Sequence, residues 1–198
     1  MSTATIGGIV ATTITIMHTE RLHLRRPRVD DLEAFLAYRN DPANLRLQPI
    51  EPMSQADASQ FLLAQAGLDK HADNCWIMFA IERLRDSRMI GEVGIYVESA
   101  AKRAGDIGWS LHRDACAQGY AIEAARALVD YAFGERQLLR LTASMSAQNE
   151  ACIRLCERLG MRREATASKA QCVDGDWHDV HQYGLSRSEW AGHRELEG

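Results

Sequence analysis

The segment LHRDACAQGYAIEAARALVDYAF, residues 111–133, contains the pattern best suited to bind an anion. An alternating apolar run ends at Leu111, and an alanine-rich helical pattern begins near Tyr120. Between them, the small residues Ala117 and Gly119 allow the main chain to approach a ligand closely. Free N–H groups and the dipole at a helix start attract phosphate. The same spacing is also typical of a helix start packed on a sheet, so the loop alone leaves both interpretations open.

Two side chains are candidates for proton transfer. Glu92 lies in MIGEVGIYV, among glycines that permit close approach or a bulge. It is either a general base that acts through water or a solvated carboxylate on a strand. Cys152 and Cys156 are four residues apart, so both thiols lie on one face of a predicted helix. Cys152 is either an acid near the reacting groups or a small core residue.

The composition argues against several classes of protein. The chain has 198 residues, 46% of them apolar and 25% charged, which fits one globular domain with a single core. A net charge of −4 argues against a nucleic-acid partner, and the four arginines within Arg21–Arg28 are interpreted as a solvated strand face. Five cysteines without a CxxC pair argue against a disulfide framework, and the histidines lack the spacing of metal ligands.

Residues 1–16 are interpreted as an N-terminal extension that is either disordered or an added strand. The apolar stretch Ile6–Met17 follows no Lys or Arg, and it is too short to span a bilayer. We therefore expect no membrane partner and, with reduced thiols, a cytoplasmic protein.

Hydrophobic periodicity and turn signals predict a mixed α/β domain. Its order is strand, two helices, three strands, helix, strand, helix and two strands. The first strand lies in TERLHLR, and the capping signatures Asp30/Glu33 and Ser54/Asp57 open the two helices that follow. The next elements are the strands Cys75–Ile81, Met89–Val97 and Asp106–Leu111, the helix Tyr120–Phe133 and the strand Leu139–Ser146. A short helix after Asn149 ends at Gly160, and the last two strands are joined by Asp174–Gly175.

The segment 111–133 resembles the acyl-CoA pyrophosphate loop and helix of the GNAT acetyltransferase superfamily. It is most similar to the RimJ/RimL-type branch, whose members tend to contain L-H-x-x-x-x-G-x-G-Y-A-x-E-A. TERLHLR, NEACIRLCERLGM and DGDWHDVHQYGL agree with that branch, and the resemblance covers about Thr19–Trp190. It implies one GNAT-like domain over residues 17–198, with a mixed, mostly antiparallel sheet, a splayed strand pair and flanking helices.

The resemblance also implies acetyl-CoA as co-substrate, no metal, and a set of binding residues. Main-chain N–H groups of residues 117–122 would hold the pyrophosphate. The strand that ends at Leu111 would separate from strand Leu139–Ser146, which exposes main chain for the pantetheine and the acetyl carbonyl. Asn149 would contact the CoA arm from across this gap. The expected CoA-binding residues are Leu111, Cys116, Ala117, Gln118, Gly119, Tyr120, Ala121, Ile122 and Asn149, and the expected catalytic residues are Glu92 and Cys152, the latter also a candidate CoA contact.

The sequence departs from the family pattern at several positions. Ala117 replaces the first glycine of the loop; it fits if its φ is negative, whereas a positive φ would weaken CoA binding. Cys152 stands where many relatives have serine, Cys156 where other branches have an acidic tyrosine, and Gln171 where the ribosomal-protein subgroup has glutamate. The expected acid–base side chains are therefore partly missing.

The leading interpretation is an N-acetyltransferase that acts on the α-amine of a protein N-terminus. Keeping such an amine neutral at pH 7 costs about 1 kcal/mol, against about 4–5 kcal/mol for a lysine-like amine, so a weak base suffices. One alternative acceptor is a small amine, namely a polyamine, amino acid or aminoglycoside, which a carboxylate-rich cleft would favour. Another alternative is a catalytically inactive acyl-CoA-binding protein. Dimers are common in the resembled branch, so both a monomer and a homodimer stay open.

Overall fold

The computed structural model describes residues 17–69 and 71–197, so the predicted extension 1–16 lies outside the described residues. The strands are β1 (Met17–His18), β2 (Leu22–Arg25), β3 (Cys75–Arg83), β4 (Arg88–Val97), β5 (Ala104–Leu111), β6 (Arg140–Ser146), β7 (Arg162–Val173) and β8 (Asp176–Ser186). The helices are α1 (Leu32–Arg39), α2 (Pro42–Leu45), α3 (Gln55–Gly67), α4 (Tyr120–Gly134), α5 (Glu150–Arg158) and α6 (Arg187–Glu197).

The strands of the described chain form one sheet in the order β1-β2-β3-β4-β5-β6-β8-β7. Every neighbouring pair is antiparallel except β5 and β6, which run parallel. The predicted mixed, mostly antiparallel sheet with flanking helices is therefore confirmed. Across the described residues, we find no helix that is both long and apolar enough to cross a bilayer.

Alternating side chains of the central strands build two separate cores. On β3, Phe79 and Ile81 point to the face that α4 covers, and Met78 and Ala80 point to the face that α1 and α3 cover. Helix α4 lies close to the sheet because its buried stripe includes alanines, as the sequence predicts. The fully buried members of that stripe are Ala124, Ala125, Leu128, Val129 and Ala132.

The helices on the second face begin largely at the predicted signals. The Ser54 hydroxyl accepts a hydrogen bond from the Asp57 N–H at 3.2 Å and caps α3, as predicted. The cap predicted at Asp30 is wrong, because the Asp31 carboxylate instead accepts from the Arg28 N–H at 2.7 Å. Helix α6 has no counterpart among the predicted elements.

The interpretation of Arg21–Arg28 as a solvated face is wrong for Arg25, which is 5% exposed. Its guanidinium donates to Asp31 at 2.8 Å and to Glu82 at 2.5 Å. Burying these charges is compensated only by their mutual pairing. This cluster fixes the end of β2 against β3 and the start of α1.

We expect Arg25→Ala to lower the free energy of unfolding by about 3–5 kcal/mol, because the buried Asp31 would lose its cation and the half-buried Glu82 its nearest one. The matched control is Arg28→Ala, whose side chain is 64% exposed and lies 3.8 Å from Glu82. It should cost no more than about 1 kcal/mol. Urea unfolding of both variants measures the difference, and equal losses would contradict this assignment.

Candidate active site

Strands β5 and β6 are paired over only a short distance. Residues Ala104–Asp106 pair with residues Arg140–Thr142, and beyond Asp106 the two strands separate. This gap is the predicted splay. Its two edges are the C-terminal halves of β5 and β6, each of which leads into a helix.

Main-chain groups of β5 face the gap at alternating residues. The His112 N–H donates to the Ile90 carbonyl at 2.8 Å, so His112 faces β4. In an antiparallel pair, residues alternate between facing the partner and facing away from it. Trp109 and Leu111 therefore direct their N–H and C=O groups into the gap.

The opposite edge of the gap is β6. The Ala147 N–H donates to the Asp179 carbonyl at 2.8 Å, which places Ala147 against β8. By the same alternation, Ala143 and Met145 face β8, whereas Ser144 faces the gap. An extended polar ligand in the gap would thus find hydrogen-bonding groups on both sides.

The loop between β5 and α4 has an uncommon backbone. His112 caps its short 3₁₀ turn, Arg113–Ala115, by accepting a hydrogen bond from the Asp114 N–H at 3.2 Å. Ala117 and Gly119 then adopt left-handed conformations, with φ of +57° and +82°. Left-handed residues within such a turn direct successive N–H groups to one side, an arrangement that binds anions.

Helix α4 begins directly after Gly119, and the N–H groups of its first turn have no acceptor one turn earlier. Residues 117–122 therefore fit a diphosphate through their main chain alone. The exposed thiol of Cys116, just before them, donates to the His112 carbonyl at 3.6 Å. Leu111 and Ile122 have side chains in the core, so only their main chains can serve the site.

The positive φ of Ala117 decides the condition left open by the sequence. The φ of Ala117 is positive, whereas alanine would fit without strain only at a negative φ. A non-glycine residue in this region costs about 1–2 kcal/mol. The loop thus holds Ala117 in a left-handed conformation at an energetic cost.

Arg21 lies across this loop, a contact that sequence analysis missed. Its guanidinium donates to the Gln118 carbonyl at 3.1 Å and to Glu123 at 2.7 Å, and it stacks 4.6 Å from the ring centre of Tyr120. The signal was present, since Arg21 belongs to TERLHLR and Glu123 is the acid of the Y-A-x-E-A pattern. Arg21 therefore braces the loop and adds positive charge beside it.

A cavity of about 480 Å³ lies on the face of the sheet that carries α1 and α3, and it reaches the gap. Of the predicted site residues, it brings together Glu92, Asn149 and Cys152. Most of its remaining lining is apolar. Gln171 also lines it and donates to the Leu47 carbonyl at 3.1 Å, so this residue supports a wall instead of supplying a base.

Glu92 is half-buried on β4 and lines the cavity. One carboxylate oxygen accepts a hydrogen bond from the hydroxyl of Tyr38, a fully buried residue of α1, at 2.8 Å. Burial raises the pKa of Glu92, and the Tyr38 hydrogen bond opposes that rise only in part. A carboxylate with a raised pKa is a better proton acceptor than an exposed one. Tyr38 was not found by sequence analysis.

Asn149 and Cys152 form the start of α5 at the far side of the gap. The Asn149 side chain caps the helix by accepting from the Cys152 N–H at 3.1 Å. Burial raises the pKa of the Cys152 thiol, so it is protonated at neutral pH. Cys156 is a fully buried core residue, and burial raises the pKa of its thiol to about 12.

The last hairpin contributes little to the cavity beyond Gln171. Trp177 is 61% exposed on β8 and does not line the cavity. Asp179 accepts from the Lys169 N–H at 2.8 Å and stabilises an irregular part of β7. Both residues therefore lie outside the lining of the cavity.

Comparison with known proteins decides the family. Residues 21–162 match the family model of the GNAT acetyltransferase domain. The chain belongs to the GNAT acetyltransferase family. It is therefore an acyl-CoA-dependent N-acetyltransferase, in agreement with the names of its relatives.

This GNAT enzyme is 28% identical to YnaD of Bacillus subtilis strain 168, an uncharacterized N-acetyltransferase, over 87% of this chain and 97% of YnaD. It is 29% identical to YdaF of the same organism, a putative ribosomal N-acetyltransferase, over 56% of this chain and 61% of YdaF. A GNAT-family acetyltransferase of Bacillus anthracis has a similar structure, with a TM-score of 0.78 and 25% identity over 88% of this chain and 99% of that chain.

We expect Ala117→Gly to stabilise the GNAT enzyme by about 1 kcal/mol and to tighten acetyl-CoA binding, because glycine adopts a positive φ without strain. The control is Ala127→Gly in the interior of α4, which should destabilise the enzyme by a similar amount. Urea unfolding and calorimetric titration measure the two effects. Destabilisation by Ala117→Gly would contradict the strain assigned to this loop.

Proposed function

We propose that the protein transfers the acetyl group of acetyl-CoA to the α-amine of a peptide or protein N-terminus by direct attack. The observation that supports this most strongly is the gap itself, where β5 and β6 no longer pair, between the loop of residues 117–122 and the cavity. Acetyl-CoA supplies an activated acetyl thioester. The N–H groups of residues 117–122 would hold its pyrophosphate, and the main chains of Trp109, Leu111 and Ser144 would orient its pantetheine arm.

Proton transfer is assigned to Glu92 and Cys152, two of the titratable groups that line the cavity. Glu92 accepts the amine proton through a water molecule, and its raised pKa lies closer to that of an α-amine, about 7.7–8.0. Cys152 holds a proton at neutral pH and lines the cavity, so it is the candidate donor to the leaving sulfur. Main-chain positioning in the gap supplies most of the catalysis.

The acceptor side has room for an extended chain. A second depression, of about 510 Å³, shares Gln48, Pro49 and Ile50 with the cavity. Residues that follow an N-terminus could lie there, whereas a small amine would leave it unused. The relative YdaF, named a putative ribosomal N-acetyltransferase, supports the same class of acceptor.

We expect Glu92→Gln to change the pH dependence of kcat/KM for an N-terminal peptide. Both the amine and Glu92 must be deprotonated, so activity falls as pH falls through each pKa. For the parent enzyme, log kcat/KM should rise with a slope of roughly two below the raised pKa of Glu92 and roughly one above it. The variant should keep a slope of roughly one and lose about 10²-fold in rate.

Mass spectrometry of the acetylated peptide gives these rates at every pH. The control is Glu98→Gln, a carboxylate 56% exposed outside the cavity, which should leave the profile unchanged. A parental profile in the Glu92→Gln variant would remove Glu92 as the base. Binding of acetyl-CoA without transfer to any amine would support the inactive alternative instead.

A further inference from the structure

We propose that the acceptor pocket selects an amine whose nearest substituent is bulky and apolar, namely an N-terminus that begins with an aromatic or long aliphatic residue. This inference rests on the proposed function, because it assigns the specificity of the same site. Three features of the cavity support it: its floor, its wall and its charge.

The floor is the indole of Trp76, which lies across two paired glycines. Gly94 on β4 and Gly108 on β5 are opposite each other. A Cβ atom would lie 3.4 Å from the ring at Gly94 and 3.6 Å from it at Gly108. The indole therefore packs over these two glycines at van der Waals distance. Trp76 is nevertheless 44% exposed, so an apolar surface faces the cavity.

The wall opposite the sheet is also apolar. Phe35 of α1 and Phe61 of α3 stack with ring centres 5.5 Å apart, and both line the cavity. Met53 and Met78 extend this lining, and methionine adapts to rings of different shape. A bulky apolar side chain that enters here loses contact with water on several sides.

The charge of the cavity does not suit a polycation. Among the described residues, its charged lining consists of Arg39, Glu92 and Asp106. Glu92 already accepts from Tyr38, and Asp106 accepts from the Thr142 hydroxyl at 2.8 Å. Arg39 would repel a second positive charge on the acceptor. With one guanidinium against two carboxylates, this lining offers a polyamine or aminoglycoside much less negative charge than an acid-rich cleft would.

The test compares kcat/KM for tripeptides that begin with Phe, Leu, Ser or Lys, and for spermidine. The parent should prefer Phe and Leu over Ser and Lys by about 10- to 100-fold, the range that apolar pockets achieve. Trp76→Ala should lower the ratio of Phe to Ser at least about 10-fold, and Trp76→Phe should retain most of it. The control is Trp177→Ala, an exposed tryptophan outside the cavity, which should leave the ratio unchanged.

The outcomes separate this inference from the proposed function. A preference for peptides that begin with Ser or Lys, or for spermidine, would overturn the apolar pocket. An unchanged ratio of Phe to Ser in Trp76→Ala would overturn it as well. If the enzyme prefers peptides that begin with Ser or Lys, or if Trp76→Ala leaves the ratio unchanged, transfer to the peptides would still support the proposed function. Transfer to spermidine with no peptide acetylated would overturn both, since the acceptor would then be a small polycationic amine.

Discussion

The short pairing of β5 with β6 is the constraint on which the site depends. Main-chain N–H and C=O groups that lack a partner in a protein interior cost about 1–3 kcal/mol each, so sheets seldom leave them exposed to an apolar interior. Here the pairing stops after Asp106, and the main chains of Trp109 and Leu111 face that of Ser144, with the Leu111 carbonyl accepting from the Asn44 side chain at 3.4 Å. A ligand with alternating polar groups can replace the lost strand contacts.

Chain connectivity places the remaining parts of the site around this gap. Strand β5 leads into the loop of Ala117 and Gly119, and β6 leads into Asn149 and α5, so an anion site and a helix start flank the same opening. Glu92 is on β4, directly opposite Ser110 of β5, and lines the cavity that reaches the gap. One interruption in the sheet thus has the loop of residues 117–122, the start of α5 and the cavity of Glu92 around it.

Strand β2 links the two sides of the site through its arginines. Arg21, just before β2, braces the anion loop through Gln118 and Glu123. Arg25, at its end, joins Asp31 at the start of α1, the helix that also carries Tyr38 to Glu92. The loop and the base are therefore held by the same short segment.

Local patterns made much of the fold predictable. Helix α4 follows its predicted range because its alanine stripe is long and continuous, and Asp174–Gly175 forms the expected turn. Contacts between distant residues were not predictable: Arg25 meets Glu82, and Tyr38 meets Glu92, more than 50 positions away along the chain. Helix α6 was missed because its sequence is rich in charged residues. Its Trp190 is buried only in the folded chain, against residues that are distant in the sequence.

Calorimetric titration with acetyl-CoA tests the central claim most directly, that the loop before α4 and the adjoining gap hold the co-substrate. The variant is Gly119→Trp, since Gly119 has φ +82° and a Cβ there would lie 3.2 Å from Arg21. The control is Gly134→Trp at the other end of α4, where a Cβ meets open space. The account predicts binding at about 1–100 μM by the parent and the control and none by Gly119→Trp. Unchanged binding by Gly119→Trp, or none by the parent, would contradict it.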